Sequence, residues 1–364
     1  MARISPRLAG LTDAVQPKNI CFVLDTSGSM ADSNKIGQAK KALQFCVTNL
    51  NKEDRFNVVT FSTEVRPFRE TWSLADDASK NVARAFIDGL NAVGGTDING
   101  ALAKALQMRP EPVVVKSGDT SERWRENPYL VVFITDGEPT VGETNPDAIV
   151  KNITTANSAK TCRIFSLGVG IQVNTKLLDR LSDDNGGARD YVTPTENLEL
   201  KISSFYTKLA NPVLSNISLA FEGVSAHDMY PKQLPDMFSG SELVVVGRYS
   251  GMKQSGRQQI TLSGTSRGEK RTYHYACAFP TFDASHEFLP RFWAMRKIGF
   301  LLDELRQRGD NVELKNEVIR LAKLYGVLTP YTSYLVQEDE TLAIRENRAP
   351  VGGRRAAADG GGAR

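Results

Sequence analysis

Short runs of continuous apolar residues alternate with longer segments of helical period between residues 19 and about 210. The strand candidates are residues 20–24, 56–61, 130–135, 163–169 and 190–192. A strand that is apolar at successive positions has to be buried on both faces, as happens in parallel sheets covered by crossover helices. With right-handed crossovers, the alternation predicts an α/β fold with a doubly wound, mainly parallel sheet.

The helix candidates of this region are amphipathic segments that separate the strands, at residues 36–50, 77–90, 98–108, 148–159, 176–182 and 198–209. In such sheets, ligands bind outside the carboxyl ends of the strands, where the strand order reverses. Asp25 and Asp136 both follow apolar strands directly. We therefore expect the two carboxylates to lie at one edge of the sheet.

The pattern changes after Pro212, which predicts a β-rich segment at residues 211–284. Apolar and polar residues alternate at 217–221, and residues 259–262 and 272–278 flank a turn-rich segment at 263–268, as expected for a hairpin of an antiparallel sandwich. Residues 285–338 contain two helical stripes, the second closed by Gly326, and a final strand candidate at 331–336. We expect residues 1–18 to be a lead segment, 117–128 an exposed polar loop, and the Gly, Ala and Arg-rich residues 347–364 a disordered tail.

Charge and composition argue against several classes of partner. The chain has 45 basic and 42 acidic residues among 364, so its net charge of +3 does not indicate a nucleic-acid or anionic-membrane partner. No apolar run approaches the roughly 20 residues of a membrane helix, and no signal peptide is recognisable, so the compartment stays open. The four cysteines form no CxxC pair, which excludes a zinc ribbon. Cys21, Cys46 and Cys162 are expected to be buried, with a disulfide as the alternative.

Three short polar segments carry the chemistry of the chain. Asp25-Thr26-Ser27-Gly28-Ser29 separates the first strand from the first helix, Gly94-Gly95-Thr96-Asp97 precedes another helix, and Thr135-Asp136-Gly137 ends a strand. Each segment alone has an ordinary explanation as a helix cap or a turn. Three of them in this order, each next to a strand or a helix, indicate a cation site instead.

The side chains of these segments offer only oxygen ligands, which suit a hard cation such as Mg²⁺ or Mn²⁺. Three of the five donors are neutral hydroxyls, so the site does not neutralise the charge of the ion fully. An ion held in this way favours an acidic oxygen from outside. The donor set therefore predicts a protein partner that presents an Asp or Glu carboxylate.

These segments resemble the metal-ion-dependent adhesion site of von Willebrand factor A domains, and residues 19–210 resemble such a domain. The resemblance implies a non-enzymatic module that binds a protein or matrix partner through a divalent cation. It implies that the metal ligands are Asp25, Ser27, Ser29, Thr96 and Asp136.

The segments 135–143, 164–170, 240–251 and 327–336 also resemble the heavy chains of inter-alpha-trypsin inhibitor and their bacterial relatives. This resemblance suggests an extracellular or periplasmic protein. In that family a vault-type domain precedes the A domain, and a hybrid sandwich uses segments on both sides of it. Because only 18 residues precede the A-type region here, we expect no vault-type domain in this chain and a sandwich that is incomplete.

Two other functions compete with metal-dependent adhesion. A haloacid-dehalogenase-like phosphatase would also place an Asp at the end of the first strand with Mg²⁺, but it needs a second acid where Ser27 stands. An intracellular or structural scaffold would keep the fold without using the cation for adhesion. Asp97 and Glu138 beside the site are expected to be either hydrogen-bond acceptors for the ligands or capping residues.

Overall fold

The computed structural model describes residues 1–5, 17–117, 121–125, 127–159, 161–209, 212–238, 242–251, 257–266, 269–280 and 284–332. The chain forms two compact units, Met1–Asp283 and Ala284–Arg364. The strands are β1 Ala2–Ile4, β2 Asn19–Asp25, β3 Arg55–Phe61, β4 Val65–Pro67, β5 Ser73–Leu74, β6 Val113–Ser117, β7 Ser121–Arg125, β8 Tyr129–Thr135, β9 Cys162–Val169, β10 Arg189–Val192, β11 Pro212–Phe221, β12 Ser225–Tyr230, β13 Met237–Phe238, β14 Leu243–Ser250, β15 Arg257–Ser266 and β16 Glu269–Ala278. The helices are α1 Lys35–Thr48, α2 Asp77–Asp88, α3 Ile98–Gln107, α4 Pro146–Ala156, α5 Thr175–Asp184, α6 Leu198–Leu209, α7 Phe288–Arg308 and α8 Val312–Tyr325.

A seven-stranded sheet forms the centre of the first unit, in the order β10-β9-β8-β2-β3-β4, with β5 also paired to β3. The strands from β10 to β3 are parallel, whereas β4 and β5 run antiparallel at the edge. The predicted mainly parallel α/β fold is therefore confirmed. The chain first moves from β2 to β3 and later returns through β8 to the other side of β2, so the strand order reverses between β2 and β8.

Strand β2 shows why this sheet has to be covered on both faces, because all seven of its residues are buried. Ile20, Phe22 and Leu24 pack into a core with residues of α1, α2 and α6. Cys21 and Val23 point the other way, into a core with residues of α3, α4 and α5. Each large apolar side chain buried in this way stabilises the fold by roughly 1.5–3 kcal/mol.

The β-rich region forms two antiparallel sheets, β1-β14-β12 and β13-β11-β15-β16. Their side chains share a small core, to which the second sheet contributes Leu214 and Leu262 and the first Ile4 and Val245. The predicted sandwich character is thus confirmed. Strand β1 pairs with β14 from Ala2↔Val245 to Ile4↔Leu243, so part of the predicted lead segment is a sandwich strand.

Two expectations about loops were wrong. Residues 263–266, predicted to be part of a turn, extend strand β15, which pairs with β16 as far as Ser266↔Glu269. Residues 121–125, predicted to lie in an exposed loop, form strand β7, which pairs with β6 in a separate hairpin. In both cases polar residues occupy paired strands, because the hydrogen bonds between strands join backbone groups that every residue except proline supplies.

The second unit begins with two helices, as the apolar stripes predicted. Trp293 of α7 lies against Tyr325 of α8 with ring centroids 6.1 Å apart. Gly326 ends α8 in the left-handed conformation, with φ of 62°, which glycine adopts without steric cost. The strand predicted at 331–336 is wrong at its start, because residues 330–332 are helical; residues 333–336 and the predicted tail at 347–364 lie outside the described residues.

Two further sequence expectations concern the cysteines and the membrane. Cys21, Cys46 and Cys162 are buried and Cys277 is half-buried, and all four are free thiols. The structure therefore supports the packing role rather than the disulfide. Across the described residues, no helix combines the length and the apolar character that a membrane span requires.

Candidate functional site

The first loop of the site follows β2 and is organised around the buried side chain of Asp25. The Ser27 amide donates to Asp25 Oδ1 over 2.8 Å, and the Thr135 hydroxyl donates to Asp25 Oδ2 over 2.5 Å. Burial nevertheless raises the pKa of Asp25 to about 6, and the nearby charge of Asp136 adds to this effect, while the hydrogen bonds oppose it. A carboxylate that is buried beside a second one favours a cation between or beside them.

A chain of hydrogen bonds joins this loop to the end of β8. The hydroxyls of Ser27 and Ser29 lie 3.1 Å apart, and Ser29 Oγ donates to Asp136 Oδ1 over 2.7 Å. Ser29 lies in a short 3₁₀ segment, Gly28–Asn34, that leads into α1. The structure therefore brings Asp25, Ser27, Ser29 and Asp136 together at the point where the strand order reverses, as their positions after β2 and β8 predicted.

The second loop places Thr96 beside the same cluster. The Gly28 amide donates to the Gly94 carbonyl over 3.0 Å, which joins the first loop to the second. Thr96 is buried, and its own amide donates to Thr140 Oγ1 over 2.8 Å. A Cβ atom added at Gly137 would lie 3.7 Å from Thr96 Oγ1 and 3.8 Å from Ser29 Oγ. The two hydroxyls thus border the same space, which the missing side chain of Gly137 leaves free.

The acidic neighbours of these loops have local roles. Asp97 caps α3, because its Oδ1 accepts from the Gly100 amide over 2.8 Å. Glu138 accepts from Asn174 Nδ2 over 2.9 Å and so links the loop after β8 to the cap of α5. The capping interpretation of Asp97 is therefore supported, and Glu138 connects two loops of the edge.

Lys35 belongs to the site, although the sequence patterns did not indicate it. Its Nζ donates to Asp136 Oδ2 over 2.7 Å and to the Ser29 carbonyl over 3.3 Å. One weak signal in the sequence is that Lys35 begins α1, where the positive end of the helix dipole disfavours a cation. A lysine at that position needs a compensating anion, and Asp136 supplies it.

The donor set fits a hard divalent cation. It consists of two carboxylates and three hydroxyls, the oxygen ligands that Mg²⁺ accepts while it keeps several waters. No group of three or more His, Cys, Asp or Glu side chains suited to a metal occurs among the described residues. The hydroxyls of Ser27, Ser29 and Thr96 would therefore have to complete the shell, and hydrogen bonds already link Ser27 to Ser29 and Ser29 to Asp136.

Comparison with known proteins connects this geometry to a family. Residues 18–190 match the family described as von Willebrand factor type A domain. The human inter-alpha-trypsin inhibitor heavy chain H4 is 32% identical over 344 residues, covering 91% of this chain but 36% of that protein. The chain thus spans about a third of the length of this relative.

Solved structures agree at the level of the fold. A von Willebrand factor type A protein from Catenulispora acidiphila aligns with a TM-score of 0.58 and 16% identity, over 85% of this chain and 80% of that one. The ArnB paralog VWA2 from Sulfolobus acidocaldarius aligns with a TM-score of 0.53 and 16% identity, over 89% of this chain and 84% of that one. By the family match, residues 18–190 form a von Willebrand factor type A domain, in a chain that is homologous to part of the inter-alpha-trypsin inhibitor heavy chains.

Proposed function

We propose that this chain binds a protein or matrix partner through a divalent cation, Mg²⁺ or Mn²⁺, held by Asp25, Ser27, Ser29, Thr96 and Asp136. The observation that supports this most strongly is the hydrogen-bonded series from Ser27 through Ser29 to Asp136, next to the buried carboxylate of Asp25. Because it lies where the loops after β2 and β8 meet, it has the position of a ligand site in a doubly wound sheet.

The residues of the site divide into those that carry charge and those that complete the shell. Asp25 and Asp136 carry the negative charge and lie fully inside the protein. The Ser29 hydroxyl donates its proton to Asp136, which leaves the lone pairs of its oxygen available to a cation. A bound divalent ion supplies a Lewis-acidic centre with exchangeable positions for an outside oxygen.

A partner carboxylate is the ligand that this charge distribution favours. The three hydroxyls are neutral, and Lys35 offsets part of the charge of Asp136. The ion therefore keeps an excess of positive charge, which an Asp or Glu side chain of the partner would neutralise. This role is binding rather than catalysis, because Ser27 occupies the position where the phosphatase alternative needs an acid.

Titration calorimetry with Mg²⁺ and Mn²⁺ tests the proposal directly. We expect saturable binding to the full chain and a loss of about a hundredfold or more in Asp25→Ala, because one of the two carboxylates that hold the ion is removed. Asp32→Ala is the matched control, since Asp32 is exposed in the 3₁₀ segment that also holds Ser29. An absence of binding at millimolar metal would contradict the proposal and leave the domain as a scaffold.

The Thr135 hydroxyl provides a second, subtler test. Thr135→Val keeps the shape of the side chain but removes the 2.5 Å hydrogen bond that orients Asp25. Partners of metal ligands typically contribute 10–100-fold to metal affinity, so we expect a loss of about tenfold in Mg²⁺ affinity. Thr71 is exposed, so Thr71→Val serves as a control that makes the same substitution elsewhere. Equal Mg²⁺ affinities for the two variants would show that this bond does not position Asp25.

A further inference from the structure

Lys35 brings a positive charge into contact with a carboxylate of the candidate site. Both oxygens of Asp136 are engaged: Oδ1 accepts from Ser29 Oγ, and Oδ2 accepts from Lys35 Nζ, each over 2.7 Å. The Asp136 side chain is fully buried and that of Lys35 is 22% exposed. This ion pair is therefore shielded from solvent far more than an ordinary surface pair, whose contribution is small.

The surrounding structure holds Lys35 in place. Its backbone starts α1, and its Nζ also donates to the Ser29 carbonyl in the loop of the site. On the other side lies Gly170, at the end of β9, with φ of +92°. A Cβ atom added there would be 3.8 Å from both Cε and Nζ of Lys35. The partly buried ammonium group thus lies near two loops of the sheet edge, the one that holds Ser29 and the one that follows β9.

The charges of the cluster explain what a lysine does there. Asp25 and Asp136 are two buried carboxylates close enough for the charge of one to act on the other. Lys35 offsets this repulsion when no other cation is present. The same charge repels a divalent ion that binds to Asp136. Lys35 and the divalent ion therefore act as competing counter-ions of one carboxylate.

We propose that Lys35 is the built-in counter-ion of this site, which stabilises the ion-free domain and lowers its affinity for divalent cations. This role rests on the proposed function. Because Lys35 competes with the divalent ion for Asp136, the site holds an exchangeable ion rather than a permanently bound one. Lys35 also leaves more of the charge of the ion for a partner's carboxylate, since Asp136 is already partly neutralised.

Calorimetric titration of Mg²⁺ into the full chain, with thermal unfolding in EDTA and in Mg²⁺, tests this role. In Lys35→Met we expect Mg²⁺ to bind about tenfold more tightly, because a like charge close to the ion is removed. The melting temperature in EDTA should fall, and its rise on adding Mg²⁺ should exceed that of the wild type. Lys35→Gln, which also lacks the charge but keeps a hydrogen-bond donor, should tighten binding as well.

Two controls separate charge from shape and position. Lys35→Arg keeps the positive charge and should retain wild-type affinity within a few-fold. Lys41→Met makes the same substitution at an exposed position of α1 and should change neither quantity. Unchanged or weaker Mg²⁺ binding in folded Lys35→Met and Lys35→Gln would overturn the role of Lys35.

The outcomes also distinguish this role from the proposed function. If the wild type binds Mg²⁺, Asp25→Ala does not, and the Lys35 variants bind no more tightly, only the role of Lys35 fails. If neither the wild type nor the Lys35 variants bind Mg²⁺, the metal site itself fails and the role of Lys35 fails with it. Binding seen in Lys35→Met but too weak to measure in the wild type would support both.

Discussion

Replacement of Asp54 by alanine is expected to lower the free energy of unfolding by about 3–5 kcal/mol, because it leaves a buried ammonium group without its counter-ion. Lys18 Nζ lies 2.5 Å from Asp54 Oδ2, and both side chains are fully buried. Asp54 also accepts from the backbone amides of Lys18 and Asn51, over 3.1 and 2.8 Å. Burial lowers the pKa of Lys18 even though Asp54 opposes the shift, which shows how much the ammonium depends on its partner.

Urea unfolding followed by circular dichroism measures this effect. Glu53→Ala is the matched control, because Glu53 is the exposed neighbour of Asp54 in the chain. The double variant Lys18→Met with Asp54→Leu replaces both charges by apolar groups and should be more stable than Asp54→Ala alone. The stability of this double variant should remain below that of the wild type, since the backbone amides of Lys18 and Asn51 would lose their acceptor. A cost for Asp54→Ala no larger than that of Glu53→Ala would contradict the prediction.

Gly187→Ala is expected to destabilise the domain by about 3 kcal/mol, near the upper end of what overpacking usually costs. A Cβ atom at Gly187 would lie 1.8 Å from the Ile164 carbonyl oxygen and 2.5 Å from its carbon. These atoms belong to the backbone of β9, which is paired on both sides, to β8 and to β10. Because the strand cannot give way, the segment that leads into β10 has to move outwards.

Gly89→Ala is the control for the same substitution in the same unit. The added Cβ there would lie 3.5 Å from the nearest atom, the Phe86 carbonyl oxygen, and the φ of Gly89 is −75°, which alanine adopts freely. The free energy of unfolding of Gly89→Ala should stay within about 0.5 kcal/mol of that of the wild type. If thermal unfolding shows the two variants to be equally stable, the close approach of Gly187 to β9 does not constrain this edge of the sheet.

The buried pair and the candidate site depend on opposite ends of the same strands. Lys18 precedes β2 and Asp54 precedes β3, whereas Asp25 ends β2. We therefore expect substitutions at the first end to affect stability and substitutions at the other end to affect metal affinity, independently of each other. Sites that share no contacts usually give additive effects, so Asp54 variants that remain folded should still bind Mg²⁺.

The parts of the site that the sequence predicted are those that depend on local order along the chain. An apolar strand followed by Asp25, and another followed by Asp136, place both carboxylates at one sheet edge whatever the details of packing. The hydroxyls of Ser27 and Ser29 follow at fixed spacing in the same loop. Their meeting is confirmed by the hydrogen bond from Ser29 to Asp136, whereas their role as metal ligands stays a prediction.

The distant groups that complete these local patterns became visible only in the folded chain. Lys35 reaches Asp136, 101 positions later in the chain, and Ala2–Ile4 pairs with a strand that begins at Leu243. Neither contact leaves a periodic signal, because a single lysine or a three-residue strand has too few positions to show one. The alternation of strands and helices and the three polar loops could be predicted from the order of residues, since burial imposes its periodicity on every buried element. The charge balance of the site and the composition of the sandwich followed only from folding, because they depend on contacts between residues far apart in the chain.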